Sequence, residues 1–328
     1  MVLDLGFLGD TVHLLPALWV VRQAYPDAEL HVAVASHVVS FLDCTPWINR
    51  VWGYMRFPRH ATLRENIDMV MRLRREEFDV LINLQGSERS SWLTFSSGAQ
   101  ARLLRNRKKR VPLWWRGMDS VELPNSGDIK LVYQNKCICL ALAGFPSISP
   151  EFHVKVPASH LRAADISDAD IGTYFHISPF TTADRKELSP KQLAEFIVAL
   201  TQHFADKKIV LSCAPDERER NKMAELLKLL PEKPWRVFAG NLSLIQVAAV
   251  IKYSAIHFGG DTGTLHLATM TQAHTVAWFW PSNGVRNWIN TSDKCRVIMG
   301  ENGANQNFLC NISTDELIRA TRGVLEPR

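Results

Sequence analysis

Three short segments combine the glycines, hydroxyls, cations and carboxylates that phosphate binding and proton transfer use. The stretch Phe258 to Ala268 reads FGGDTGTLHLA. Gly259, Gly260 and Gly263 permit a tight turn and close approach of backbone to a ligand, while Asp261, Thr262 and Thr264 can cap a helix that carries His266. The free N–H groups and partial positive charge at such a helix start favour a phosphate or diphosphate. A plain strand-to-helix turn with an aspartate cap and a core histidine fits the same spacing. The segment is neither a Walker loop nor a GxGxxG fingerprint.

The second segment, FTTADRKELSP from Phe180 to Pro190, offers hydroxyl donors in Thr181 and Thr182 and a fixed cation in Arg185 or Lys186. Ser189 and Pro190 read as an N-cap and first helical residue, so the loop is short and its cations sit near a strand end. The third, LGDTVHLLPAL from Leu8 to Leu18, places Asp10 at the turn after the first strand. There an aspartate is either an N-cap for the following helix or, in a substrate crevice, a carboxylate able to take a proton from an attacking hydroxyl. A carboxylate is an intrinsically weak base, which suits late, concerted deprotonation.

These segments need elements to carry them, and the hydropathy pattern supplies a βα rhythm. Strands are predicted at Val2–Leu5, Glu29–Ala35 and Asp79–Leu84, with a helix over Thr11–Ala24. After a linker at Gly144–His160 containing Pro146, Pro150 and Pro157, a second series follows. Its strands are Tyr174–Ser178, Lys208–Ser212, Ala255–Phe258 and Thr275–Phe279, and its helices are Pro190–Phe204, Asp216–Leu230 and Thr314–Leu325. Apolar strands separated by helices imply parallel sheets covered on both faces. The fold class is therefore α/β, with two Rossmann-like doubly wound domains, residues 1–155 and 156–328, facing a central cleft that receives ligands at the strands' carboxyl ends. The terminal helix 314–325 is a candidate to pack back on the first domain.

Composition narrows the classes. At 328 residues the chain exceeds one ordinary core, and 46% hydrophobic with 22% charged residues is an ordinary globular balance. No apolar run reaches membrane-spanning length, and the expected location is cytoplasmic. The six cysteines show no CxxC pairing, so neither metal nor disulfide is inferred. Net charge is +5, yet Arg102 to Arg116 (RLLRNRKKRVPLWWR) contains Arg102, Arg105, Arg107, Lys108, Lys109, Arg110 and Arg116, no acid and two adjacent tryptophans. Such a run is either a solvated face or a site for an acidic partner such as a phosphorylated lipid surface. No nucleic-acid recognition motif accompanies it.

Taken in order, GDTVHLLPAL, DVLINLQG, the Thr-Thr loop with its lysine, APDERE at Ala214–Glu219 and DTGTLHLA resemble the ADP-heptose:lipopolysaccharide heptosyltransferases, glycosyltransferase family nine, over most of the chain. The resemblance implies a GT-B fold with an N-terminal acceptor domain and a C-terminal nucleotide-sugar donor domain. It implies inverting transfer of heptose from ADP-L-glycero-D-manno-heptose to the Kdo and inner-core region of lipopolysaccharide. Asp10 then matches the catalytic base. Thr181, Thr182, Arg185, Lys186, Glu217, Asp261, Thr262, Gly263, Thr264 and His266 form the donor site, with Lys186 at the diphosphate and Glu217 at the ribose. His13, Gln85 and the seven cations of the basic run fall on the acceptor side. No cofactor and no metal are implied, and the enzyme is expected as a peripheral protein on the cytoplasmic side of the inner membrane.

One departure affects the sugar. Where the family commonly carries a Gly-Pro-Thr type stretch, this chain reads FWPSNGVRNW, with Trp280, Asn283, Arg286 and Trp288. Another nucleotide sugar, a protein acceptor or a non-catalytic nucleotide-sugar-binding role are the alternatives.

Overall fold

Runs that are apolar at every position must be covered on both faces, and the chain buries them in two six-stranded, wholly parallel sheets. The structure, a computed structural model, describes residues 1–56, 59–106, 119–122, 131–281, 287–288, 294–301, 309 and 311–326. It divides into two units, Met1–Lys155 and Val156–Arg328.

The first unit comprises β1 (Val2–Leu3), α1 (Leu8–Val12), α2 (Leu15–Ala24), β2 (His31–Ala35), a 3-10 stretch at Ser36–Cys44 and β3 (Arg50–Tyr54). It continues with α3 (Leu63–Arg75), β4 (Val80–Asn83), α4 (Glu88–Ser96), β5 (Ala101–Asn106), β6 (Asp119–Glu122) and α5 (Val132–Leu142). Its strand order is β3-β2-β1-β4-β5-β6. The single helix expected over Thr11–Ala24 is two helices, because Pro16 has no N–H to donate to the Val12 carbonyl and its ring crowds that carbonyl. The basic run is not one continuous patch either: Arg102 to Asn106 lie in β5, paired on both sides, with Leu103 and Leu104 buried.

The second unit contains α6 (Ser159–Arg162), β7 (Tyr174–Ser178), α7 (Pro190–His203), β8 (Lys208–Cys213), α8 (Glu217–Leu229), β9 (Arg236–Ala239), α9 (Leu244–Lys252) and β10 (Ile256–Gly259). Then come α10 (Gly263–Thr271), β11 (Thr275–Phe279), β12 (Cys295–Met299) and α11 (Thr314–Leu325). The order β12-β11-β10-β7-β8-β9 repeats the first sheet's pattern. In each sheet the first strand lies beside the fourth, so connections leave that pair in opposite directions and open a crevice at their carboxyl ends. Leu317, Ile318 and Val324 of the terminal helix α11 join the second unit's core, with Phe258, Val276 and Trp278, and its apolar stripe packs against α7 and the sheet.

Beneath the crevice of the second unit, β7 and β10 carry a buried histidine pair. His176 Nδ1 lies 2.9 Å from His257 Nδ1, and His176 Nε2 lies 2.8 Å from Ser212 Oγ. Burial pushes His257 down to about 3, and burial together with its neighbour holds His176 well below the usual imidazole range. The unfolded chain therefore takes up protons before the folded one does as pH falls below about 6.5. The pair's contribution to stability should be flat above that value and fall between about pH 6.5 and pH 3, His257 alone losing about 3 kcal/mol by pH 4. Urea unfolding followed by circular dichroism at stepped pH checks this; a midpoint unchanged from pH 7 to pH 4 would contradict it.

Candidate active site

In the second unit the site is assembled from the exits of β7 and β10. Leaving β10, the chain passes so close to the loop after β7 that a Cβ on Gly260 would lie 3.0 Å from both Thr181 Cγ2 and Trp278 Nε1 and 3.2 Å from the Lys186 carbonyl. Only glycine fits without displacement. That approach brings Lys186 and Asp261 together: Lys186 Nζ donates to Asp261 Oδ2 at 2.6 Å, both side chains about a fifth to a quarter exposed. His266, one turn into α10, completes the group. Burial pushes its imidazole down to about 4, Asp261 opposing and Lys186 adding to the depression, so the ring is neutral near pH 7. The ring of Trp288 packs 5.1 Å away.

The first turn of α10 presents the donors this arrangement needs. Thr262 is its N-cap and makes no side-chain capping bond. The buried Thr264 Oγ1 and Trp278 Nε1 make no hydrogen bond among the described residues. Buried hydrogen-bonding atoms without partners are uncommon in native structures, and here they cluster beside a helix N-terminus, where an anion is favoured.

The loop that carries Lys186 is fixed by a hub the sequence reading did not anticipate. Glu187 is buried, accepts from Thr181 N at 2.8 Å and from Lys222 Nζ at 2.6 Å, and pairs with Arg218 Nη2 at 3.2 Å. Arg218 also donates to the Thr181 carbonyl at 2.7 Å. Both cations belong to α8, the helix that APDERE opens, so that motif's structural weight rests on Arg218. Glu217 is exposed at the first position of α8, and Thr182 and Arg185 are exposed on the loop, whereas Thr181 is buried.

In the first unit Asp10 lies three residues beyond the N-cap of α1, where its Oδ2 accepts from Phe7 N at 3.0 Å. Gly6 has no room for a Cβ because the Asp10 side chain covers it. The turn rests on a buried ion pair, Asp4 and Lys136, each 1% exposed at the side chain. Lys136 Nζ, from α5, donates to Asp4 Oδ2 at 2.6 Å and to the Asp10 carbonyl at 2.8 Å, while Asp4 Oδ1 accepts from Gly6 N at 3.0 Å. Neither Asp4 nor Lys136 has a local sequence signature, since they meet across 132 residues.

Gln85 Oε1 accepts from Leu5 N at 3.3 Å, spanning the crevice between the β1 and β4 exits. It lines a cavity of about 370 Å³ together with Leu5, Tyr54, Arg56, His60 and Arg89. Arg56, which donates to the Leu5 carbonyl, and Arg89, 3.1 Å from His60 Nδ1, supply cations that were not singled out from sequence. His13 is fully buried, its ring 5.6 Å from Tyr133, away from this cavity. Arg105 is buried in β5 and donates to the Leu84 carbonyl, and Arg102 is half-buried over the Phe95 ring. Arg107, Lys108, Lys109, Arg110, Arg116, Asn283 and Arg286 lie outside the described residues.

Comparison with known proteins gives the family and the fold. A family model described as Glycosyltransferase family 9 (heptosyltransferase) matches residues 67–313. The chain is 21% identical over 335 aligned positions to lipopolysaccharide heptosyltransferase 3 of Escherichia coli strain K12, spanning 97% of this chain and 95% of that protein. Its fold matches the glycosyl transferase family 9 structure from Veillonella parvula with a TM-score of 0.82 at 16% identity, covering 99% and 96% of the two chains. The E. coli heptosyltransferase WaaC with ADP-2-deoxy-2-fluoro heptose follows at 0.75 and 17% identity, covering 97% of each.

The Asp4–Lys136 pair yields a direct test. Lys136→Met leaves a buried carboxylate without its cation and should destabilise the chain by about 3–5 kcal/mol, whereas adding Asp4→Leu should recover most of that loss. Thermal unfolding of the single and double variants checks it. Equal melting temperatures for Lys136→Met and the parent would show that the pair does not hold this turn.

Proposed function

The chain belongs to glycosyltransferase family 9, the heptosyltransferases, and from that membership we propose that it transfers heptose from ADP-L-glycero-D-manno-heptose to the Kdo and inner-core region of lipopolysaccharide. The observation that carries this reading is the grouping of Lys186, Asp261 and neutral His266 at the N-terminus of α10. A nucleotide diphosphate sugar offers anionic oxygens and hydroxyls within one molecule, and this group offers a partner for each.

In the reaction the acceptor hydroxyl oxygen attacks the anomeric carbon, forming the new C–O bond as the bond to the diphosphate breaks. Asp10 takes the hydroxyl proton, and configuration inverts. Negative charge grows on the departing ADP, where Lys186, the α10 N–H groups and the hydroxyl of Thr264 meet it; interactions that strengthen with that charge lower the barrier. Asp261 accepts from sugar hydroxyls. No step calls for a metal.

The acceptor's carboxylates and phosphates match the cations lining the first unit's cavity, Arg56 and Arg89. The enzyme works in this reading as a peripheral protein at the cytoplasmic face of the inner membrane. Among the described residues no helix is long and apolar enough to cross a bilayer.

The test is transfer from ADP-heptose to Kdo-lipid A or its deacylated sugar, with chelator present, following ADP release and product mass. The parent should form product, and Asp10→Ala should lose it while binding ADP as before. Product from Asp10→Ala at the parental rate would remove the base assignment, and ADP binding without product would redirect the search to other sugars or acceptors.

Two further variants separate the donor and acceptor sites. Lys186→Ala loses a charge-assisted phosphate contact and should weaken ADP-heptose affinity by about 1.5–3 kcal/mol, roughly tenfold to a hundredfold. Arg89→Ala should raise KM for the acceptor and leave ADP affinity unchanged. Isothermal titration with ADP and initial rates against acceptor concentration distinguish them.

A further inference from the structure

Helix α3 is covered on one side only. Met69 and Leu73 are buried in the first unit's core, yet three large apolar residues point the other way: Leu63, Ile67 and Met71 are 75%, 48% and 49% exposed. Their spacing of four residues makes one strip along the helix, about 12 Å from the first to the last at 1.5 Å per residue. Scattered exposed apolar side chains are ordinary on a soluble protein, but an aligned strip on the solvent face is not what core packing produces.

Helix α4 adds a second strip, Trp92 and Phe95, 39% and 40% exposed. The two strips share a face of the unit for a topological reason. Parallel crossovers are right-handed, and in the order β3-β2-β1-β4-β5-β6 the connections β3 to β4 and β4 to β5 run in the same direction. Their helices therefore cover the same side of the sheet. Contacts tie the pair at both ends: Arg74 Nε donates to the Ser96 carbonyl at 2.8 Å, and Arg89 meets His60 just ahead of α3.

Charge decides what would cover such a face. Around the α3 strip the exposed charged residues of the helix are Arg64, Arg74 and Arg75 against Asp68, Glu65 is held by Arg59 in the helix cap, and Arg72 turns to the other side, over the Trp52 ring. Arg102 lies over Phe95 at the edge of the second strip. Arginines beside aliphatic and indole side chains, on a helix lying along the surface, fit the boundary between lipid phosphates and acyl chains.

We propose that the outward face of α3 and α4 is the surface by which this protein docks on an anionic bilayer, with Leu63, Ile67, Met71, Trp92 and Phe95 entering the interface and Arg64 and Arg75 meeting lipid phosphates. This deepens the peripheral placement proposed above. Its test uses vesicles without any acceptor sugar, so the enzymatic reading and the docking surface can fail separately.

The experiment is co-sedimentation of the full chain with vesicles of phosphatidylethanolamine and phosphatidylglycerol, against vesicles of phosphatidylcholine alone. The parent should pellet with the anionic vesicles and at least tenfold less with the neutral ones. The triple variant Leu63→Gln/Ile67→Gln/Met71→Gln should partition at least tenfold more weakly at an unchanged melting temperature, and Arg64→Gln/Arg75→Gln should lose most of the salt-sensitive binding. Parental partitioning of the triple variant would overturn the proposal. So would loss of all binding on neutralising Arg107, Lys108, Lys109 and Arg110 while the triple variant still binds. A parent that is dimeric without vesicles and a triple variant that is monomeric would assign the face to self-association instead.

Discussion

Two neighbouring parallel strands whose connections depart in opposite directions leave their carboxyl ends uncovered, and the rest of this structure is organised around that constraint. It occurs once in each sheet, at β1 beside β4 and at β7 beside β10. At the second of these, side chains from both exits meet because the backbones run closer than ordinary residues allow: Gly260 lies against Thr181, the Lys186 carbonyl and Trp278. In the first unit Gly6 makes room within the β1 turn itself, lying under the Asp10 side chain.

Convergence alone does not hold a loop still, since segments at strand ends make few apolar contacts and open readily. Each unit answers with a buried carboxylate held by cations from a distant helix. In the first, Lys136 from α5 binds Asp4 and the Asp10 carbonyl; in the second, Arg218 and Lys222 from α8 bind Glu187, whose carboxylate also takes the Thr181 N–H. Buried ion pairs contribute little net stability compared with well-packed apolar residues, but breaking one strands a charge. Their effect here is geometric, fixing the turn of Asp10 and the loop of Lys186 to helices that are themselves part of a core.

What could be read from sequence follows from how local its cause is. The strands Tyr174–Ser178 and Thr275–Phe279 and the helix Thr314–Leu325 are found at their expected bounds because a full apolar run or a capped amphipathic stripe needs no distant partner. The glycine turn and its following helix are equally local, so Asp261 and His266 could be singled out together with Lys186. β5 was hidden because arginines and an asparagine flank its two leucines, and the run reads as surface when it is paired on both sides. Lys136, Arg218 and Glu187 had no signature, since what distinguishes them is a partner 31 to 132 residues away. His13 shows the converse: it sits beside the motif in sequence, yet the turn between α1 and α2 places it in the interior against Tyr133.

The resting pair of Lys186 and Asp261 bears on selectivity. With each partly buried and satisfied by the other at 2.6 Å, a ligand that engages only one leaves its counterpart without a partner, and an unpaired buried charge is costly. In the donor-binding role proposed for this site, a nucleotide without its sugar would draw Lys186 to phosphate but give Asp261 nothing in exchange, and a free sugar would offer hydroxyls to Asp261 and strand Lys186. Under that proposal only a molecule carrying phosphate and sugar hydroxyls at adjacent positions would compensate both, so the pair would discriminate through penalty as well as attraction. A neutral His266 would keep that balance, because a second positive charge beside Lys186 would let bare phosphate compete without any sugar to satisfy Asp261.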